Sequence, residues 1–377
     1  MAKRRGNSEG SITQRADGRW MARLSLPDGT RKAVYGKTKA EAIKRLQAAQ
    51  RTIAQGLPLG NERETVAAWL KTWLTAAEGR TRPRTAQRYQ QIVRLHLTPR
   101  LGHIRLTWLT PADVERAMRE AAEAGQSPQS VAHHRAVLRS ALNAAMKHGL
   151  VGRNVAALAD APHIPEREYE ATTPTKARAI FQAVKGDRLE AFVTIALACG
   201  LREGEALGAR WNDVNLDDGT LSIQRTLQRI HGEWQFLEPK TKRSRRTISL
   251  PAPVVQALRE HRARQIAERL LGGPAWDSER WGHLVFTNEV GGPLDRSTVL
   301  HHFHRVLTRA GLPKMRVHDL RHGAASLMAA LGVPPRVAME VLGHSQIATT
   351  MNRYTHVAPE WQREAAGVVA KGLWPDG

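Results

Sequence analysis

Apolar and polar positions alternate one by one between Gly18 and Leu26. Trp20, Ala22, Leu24 and Leu26 fall on one side, and Arg19, Arg23 and Ser25 lie among those opposite. A period of two is the signature of a half-buried strand. Turn formers bracket it, Asp17-Gly18 before and Pro27-Asp28-Gly29 after, and a further strand is expected over 30–35. Thr38 and Glu41 stand at the spacing of a capping box, opening a helix that carries Ile43, Leu46 and Ile53. From residue 66 the period lengthens to that of a helix, with Val66, Trp69, Leu70 and Trp73 on one stripe. Pro83 to Leu97, Thr110 to Ala124 and Ser127 to His148 follow as helices. Thr110 with Asp113, and Ser127 before Pro128, are N-terminal signals. The last of these helices turns Val131, Leu138, Leu142 and Ala145 inward and leaves Arg135, Arg139 and Asn143 along its polar face.

Periodicity is lost between Ala159 and Thr172, where prolines stand at 162 and 165, so this stretch is expected to be a linker. Beyond it, Thr173-Pro174 opens one helix and "RLEAFVTIALACGL" forms a buried second. "TLSIQRTLQRI" is expected to pair with "EWQFLEPK" and "RRTISLP" as a hairpin or three-stranded patch, and a long helix runs on through Leu271. The expected fold is therefore multidomain, mainly α with small β-sheets. A three-stranded sheet plus helix occupies 1–60, a helical unit 61–158, the linker 159–172, and a large α+β unit with a C-terminal tail helix 173–377. No internal repeat, Walker A loop or glycine-rich dinucleotide turn is present.

Charge changes this picture more than composition does. The chain carries a formal +22, and thirteen Lys and Arg against four Asp and Glu fall within residues 1–60. Such an excess implies a polyanionic partner, nucleic acid or an anionic membrane surface. The longest apolar run, Ala191 to Leu201, is about half a spanning helix, which disfavours the membrane. The opening "MAKRRGNSEG" has no apolar stretch behind it, so no secretory leader is expected. Cys199 is the only cysteine, which leaves no internal disulfide or thiolate zinc cluster and suits a reducing cytoplasmic setting. Arginine outnumbers lysine 44 to 13, a bias that fits phosphate contacts and that GC-rich coding would also produce. Arg19 and Arg23 on the sheet, and Arg135 and Arg139 on the last helix of the helical unit, are the candidates for DNA contact; a solvated face is the alternative for each, and the net charge favours DNA for the helix.

Four polar islands carry candidate chemistry. In "GLREGE", Arg202 ends a buried segment and needs an anion; Glu205 either pairs with it or aims it at a phosphate. "EPKTKRSRR" crowds Lys240, Lys242, Arg243, Arg245 and Arg246 into one turn. "HDLRH" sets His318 and Arg321 three apart on a helix face. "LGHSQIATTMNRYTH" holds His344 and Tyr354. A zinc site at His318 and His322 is disfavoured, because Asp319 stands where a metalloprotease has Glu, and Arg321 between the histidines repels a cation. Two arginines, two histidines, a lysine and a tyrosine suit a single phosphodiester instead. Arginine forks hold the phosphate oxygens, the phenol attacks phosphorus, and Lys240 protonates the leaving alkoxide.

In this order and at these separations the islands resemble the signature boxes of the tyrosine recombinase (phage integrase) family. The resemblance implies that Tyr354 is the nucleophile and that Arg202 and Arg321 clamp the phosphate. It makes Lys240 the general acid, with Lys242 two residues away on the same turn. His318 and His344 become the proton-transfer and phosphate-contacting histidines, and Glu205 the supporting acid, with Lys242, Arg243 and Arg245 near DNA. It also implies that 1–60 reads arm-type sites and that 61–158 is a core-binding domain. The protein is then an integrase of a mobile element that needs neither metal nor cofactor. Its expected partners are double-stranded DNA at attachment core and arm-type sites, three further copies of itself, an excision factor and a DNA-bending host protein. A resolvase or invertase, a silent DNA-binding regulator on the same fold, and a type IB topoisomerase share parts of this pattern. The C-terminal tail, from Ala358 on, packs either on its own domain or on a neighbouring protomer.

Overall fold

The alternating stretch near the start folds as a three-stranded antiparallel sheet, β1 (Ser11–Gln14), β2 (Trp20–Ser25) and β3 (Arg31–Gly36). The coordinates are a computed structural model that describes residues 11–25, 31–54, 63–165, 172–239 and 244–343. Ala22 and Leu24 of β2 and Val34 of β3 are buried against α1 (Lys39–Ala54), while Arg23 and Ser25 face outward; Leu26 lies outside the described residues. On α1 the buried stripe is Ala42, Leu46 and Ala49, with Ile43 only half-buried. Two alanines let the helix approach the sheet more closely than isoleucines would. The cap also differs in one detail from the expected box. Thr38 Oγ1 accepts the Glu41 N–H at 3.2 Å, but the Glu41 carboxylate reaches one residue further back, to the Lys37 N–H at 2.8 Å.

Two compact units divide the chain, residues 1–167 and 168–377. In the first, α2 (Val66–Glu78), α3 (Pro83–Ile92), α4 (Thr98–Leu101), α5 (Pro111–Glu123), α6 (Pro128–Lys147) and α7 (Val155–Leu158) share one core. Leu138 and Leu142 of α6 are fully buried, worth roughly 1.5–3 kcal/mol each. The expected helix from Pro83 to Leu97 loosens into a π-helical turn over Val93–Leu97. Pro99 explains it, since it has no N–H for the Leu95 carbonyl and its ring would clash there. Thr110 and Asp113 cap α5 reciprocally, and Ser127 caps α6.

In the second unit, α8 (Pro174–Val184) starts at the Thr173 cap, and α9 (Glu190–Cys199) is buried on nearly every side. After α10 (Glu203–Leu207) the predicted β segment splits. β4 (Val214–Asn215), β5 (Thr220–Ile223) and β8 (Arg246–Ser249) form one sheet, and β6 (Thr226–Ile230) pairs with β7 (Glu233–Leu237) in a second. "TLSIQRTLQRI" is thus two strands in two sheets, broken at Gln224-Arg225, where Arg225 turns to pair with Asp213. Then come α11 (Ala252–Gly272), α12 (Ser278–Trp281), α13 (Arg296–Arg309), α14 (Val317–Ala330) and α15 (Pro335–Leu342). α9 packs against α8, α11 and α14 at the centre of this core. Burial pushes the Cys199 thiol up to about 12, so it stays protonated.

Candidate active site

Three helix ends meet at the polar centre of the second unit. α9 stops at Gly200, whose φ of 66° only glycine adopts freely, and a Cβ there would run into the Leu342 side chain. The chain leaves Gly200 through buried Leu201 and places Arg202 at the head of α10. α14 brings Arg321, 3% exposed, to the same point. α15 ends there too, on Gly343 at φ 64°.

The last carbonyls of α15 have no partners within the helix and lie at its negative end. Three consecutive ones are each taken by a different arginine. Arg246 Nε donates to Val341 O at 2.7 Å, Arg321 Nη2 to Leu342 O at 2.5 Å, and Arg202 Nη2 to Gly343 O at 2.8 Å. Arg321 Nη1 also donates to Gly200 O at 2.5 Å, tying the end of α9 to the end of α15.

Among the described residues one carboxylate serves these guanidiniums. Glu205 accepts from Arg202 Nη1 at 2.6 Å on Oε1 and from Arg246 Nη2 at 3.2 Å on Oε2, with only 1% of its side chain exposed. Burial alone would raise its pKa, but Arg246 and then Arg202 outweigh burial and hold it below the ordinary glutamate value. Three cations against one anion leave a net positive charge in a mostly dry site. Burial and the neighbouring Arg202 pull Arg321 down to about 9, so it stays charged at neutral pH. Arg202, with 33% of its side chain exposed, is the most open of the three. Such a site is built to receive an anion.

His318 stands on the same face of α14, one turn before Arg321. The residue is exposed to solvent, yet neighbouring protein partly desolvates the imidazole. That desolvation first, and the Arg321 charge second, hold its pKa below the usual imidazole value. Its ring meets His322 edge-on at 4.6 Å. Among the described residues no three His, Cys, Asp or Glu side chains converge as a metal cage would.

The structure thus brings Arg202, Glu205, Arg321 and His318 into one unit, the first three in direct contact or on adjacent carbonyls. Lys240, Lys242, Arg243, His344 and Tyr354 lie outside the described residues, as does the tail beyond them. Pro239 and Ser244, the described residues on either side of 240–243, are both buried. Arg245 points away, exposed and paired with Glu238 at 2.6 Å. Arg246 was not singled out from the sequence, although a signal was present. On β8 it shares the inward face with Ile248 and Leu250, whereas Arg245 and Thr247 face out, so alternation alone puts a cation on a core-facing position.

Candidates in the first unit divide as well. Arg19 and Arg23 are exposed, Arg19 beside Asp17 at 3.0 Å. Arg139 is exposed on α6. Arg135 is half-buried instead, its Nη2 donating to Ala159 O at 2.6 Å, where it closes the end of α7. Asn154 donates to Asn143 Oδ1 at 2.7 Å, so the segment after α6 covers part of the face that the sequence left open.

Comparison with known proteins adds to this geometry. The profile described as "Phage integrase family" matches residues 170–360, and "Phage integrase, N-terminal SAM-like domain" matches residues 65–120. An integrase of Streptomyces ambofaciens is 31% identical over 392 residues, covering 100% of this chain and 99% of its own. The Tn1549 transposon integrase, solved with a circular intermediate DNA, superposes with a TM-score of 0.70 at 20% identity over 81% of this chain and 100% of that one. A lambda integrase tetramer bound to a Holliday junction gives a TM-score of 0.56 at 19% identity over 93% and 96%.

Proposed function

We propose chemical roles for the residues of this chain, which belongs to the phage integrase family of tyrosine recombinases. It is a site-specific DNA recombinase of a mobile element. Arg202 and Arg321 hold the non-bridging oxygens of the scissile phosphate. Each guanidinium has five N–H donors, so the carbonyl bonds already made leave donors for the phosphate. Tyr354 attacks phosphorus in line. Its oxygen gains the new P–O bond, the bond to the 5′ oxygen breaks, and the electron pair leaves with that oxygen. Lys240 protonates that leaving 5′ oxygen to give the hydroxyl, and His318, with its lowered pKa, accepts the phenolic proton. His344 contacts the phosphate and Glu205 holds Arg202 in place. The 3′-phosphotyrosine keeps the ester energy, so the 5′-hydroxyl of a second strand reverses the step without ATP.

The same proposal assigns 1–60 to arm-type sites and 61–158 to the attachment core, with 159–172 as the linker and 173–377 as the catalytic domain. Arg19, Arg23 and Arg139 stand on exposed surface suited to DNA phosphates, and Lys242, Arg243 and Arg245 complete the DNA-facing set, from which the bond to Ala159 O removes Arg135. Assembly as a tetramer on DNA is supported by the lambda integrase tetramer that shares the fold. An excision factor and a DNA-bending host protein complete the proposed partners, in the cytoplasm. No described helix is long and apolar enough to cross a membrane.

One observation carries this reading: three guanidiniums converge on one helix end, two of them also on one buried carboxylate, immediately before His344 in the sequence. Incubation with nicked suicide DNA in EDTA tests it. The wild type is expected to form an SDS-resistant adduct that Tyr354→Phe does not. Tight binding without an adduct would instead make the chain a silent regulator on a recombinase fold.

A further inference from the structure

We propose that Arg246 is a positioning residue for DNA cleavage, locking Glu205 and the end of α15 so that Arg202 meets the phosphate in a fixed orientation. The inference rests on the recombinase reading above. Arg246 itself does not face the DNA, since only 8% of its side chain is exposed and its donors are turned inward. Nε bonds Val341 O at 2.7 Å, Nη1 bonds Ser244 O at 3.2 Å, and Nη2 bonds Glu205 at 3.2 Å.

Both anchors of Arg202 are therefore held by Arg246. One anchor is the Glu205 carboxylate; the other is the α15 terminus, where Arg246 takes the carbonyl two residues before the one Arg202 takes. The contact with Ser244 O adds a third fixed point, four positions after Lys240 in the sequence. Gly343 supports the same conclusion independently. A Cβ there would lie 2.6 Å from Arg246 Nη1, so the backbone that leads to His344 lies directly against this guanidinium. A lysine would keep the charge but could not bridge a carboxylate and two carbonyls, because it lacks the planar fork.

The role predicts an effect on the chemical step that depends on pH. Without Arg246, the buried Glu205 loses the larger of its two cationic neighbours and its pKa rises. Protonated Glu205 no longer holds Arg202 as a charge-assisted acceptor. Arg246→Gln is thus expected to cleave more slowly at acidic than at alkaline pH, on top of the pH profile of the wild type.

The test uses the full-length chain and nicked suicide DNA, with single-turnover adduct formation followed between about pH 5 and pH 8. DNA affinity and thermal melting are measured alongside. Arg246→Gln is expected to bind DNA as the wild type does but to cleave roughly 10- to 100-fold more slowly, the usual cost of losing a group that orients a reactive one. The deficit should be largest at acid pH. Arg246→Lys should recover the pH profile and part of the rate. Glu205→Gln should cleave no faster than the double variant that adds Arg246→Gln, since both act through one contact. Wild-type cleavage with an unimpaired Arg246→Gln overturns this inference alone. So does a deficit that is flat with pH and tracks the loss of folded protein. A wild type that forms no adduct overturns the recombinase reading, and this inference with it.

Discussion

Arginine is used in opposite ways in the two units of this chain. At the end of α15, Arg321 is buried and the Arg246 side chain is only 8% exposed, and with Arg202 each is committed to named carbonyls or to Glu205. On the first unit, Arg23 and Arg139 stand in solvent. Buried guanidiniums are expensive to desolvate, and here a carboxylate and a helix terminus offset the cost. What results is a charge whose direction is set before substrate arrives, the condition for stabilising a transition state. Surface arginines keep their mobility and act by displacing counterions from DNA, which yields affinity without geometry. Arg135 shows that the division follows contacts rather than position. It lies on the same helix as Arg139, yet its guanidinium closes the end of α7.

The sharpest way to break this comparison is to replace a buried arginine without removing its charge. Arg321→Lys cannot donate to both Gly200 O and Leu342 O as the planar fork does. Adduct formation is expected to fall on the order of 100- to 1000-fold. The salt dependence of DNA binding should hardly change. An unchanged cleavage rate would mean that charge alone suffices and that the orientation is idle.

Acid should separate the units next, because among the described residues each holds one buried histidine. Burial lowers His134 in the first unit and His261 in the second to about 4, with His96 also repelling His134. His134 lies stacked on His96 at 4.1 Å. The unfolded histidines keep a pKa near 6.5 and bind protons that the folded ones refuse. Their stabilising contribution is therefore complete above about pH 6.5 and is lost as pH falls towards 4, roughly 2–3 kcal/mol for each. Thermal melts across this range should show both units weakening. His134→Gln should flatten only the transition of the first unit, and His261→Gln only that of the second.

Smallest of all is the expected effect of an exposed arginine. Arg139→Ala should weaken binding to every DNA sequence by a similar factor and lower the salt slope by about one. Cleavage of DNA already bound should be unaffected. A sequence-specific loss would instead place Arg139 at a base edge.

Much of this molecule is determined locally. The caps at Thr110, Ser127 and Thr173 lie where neighbouring residues place them, because a cap needs only side chains a few positions away. The buried stripe of Val66, Trp69, Leu70 and Trp73 follows from helical period, and the alternation around β2 from strand period. The order of the four polar islands was likewise present in the chain before any folding. Local pattern failed where a choice depended on distant partners. Whether Thr226–Ile230 would extend β5 or pair with β7 was open until tertiary contacts decided it. The same holds for the guanidinium of Arg135, which spans 24 positions to Ala159. Arg246 is the clearest case: it reaches Glu205 across 41 positions and Val341 across 95. Sequence determined that an arginine would stand on an inward strand position. Only the folded core, by burying one carboxylate and one helix end beside it, decided what that charge would hold.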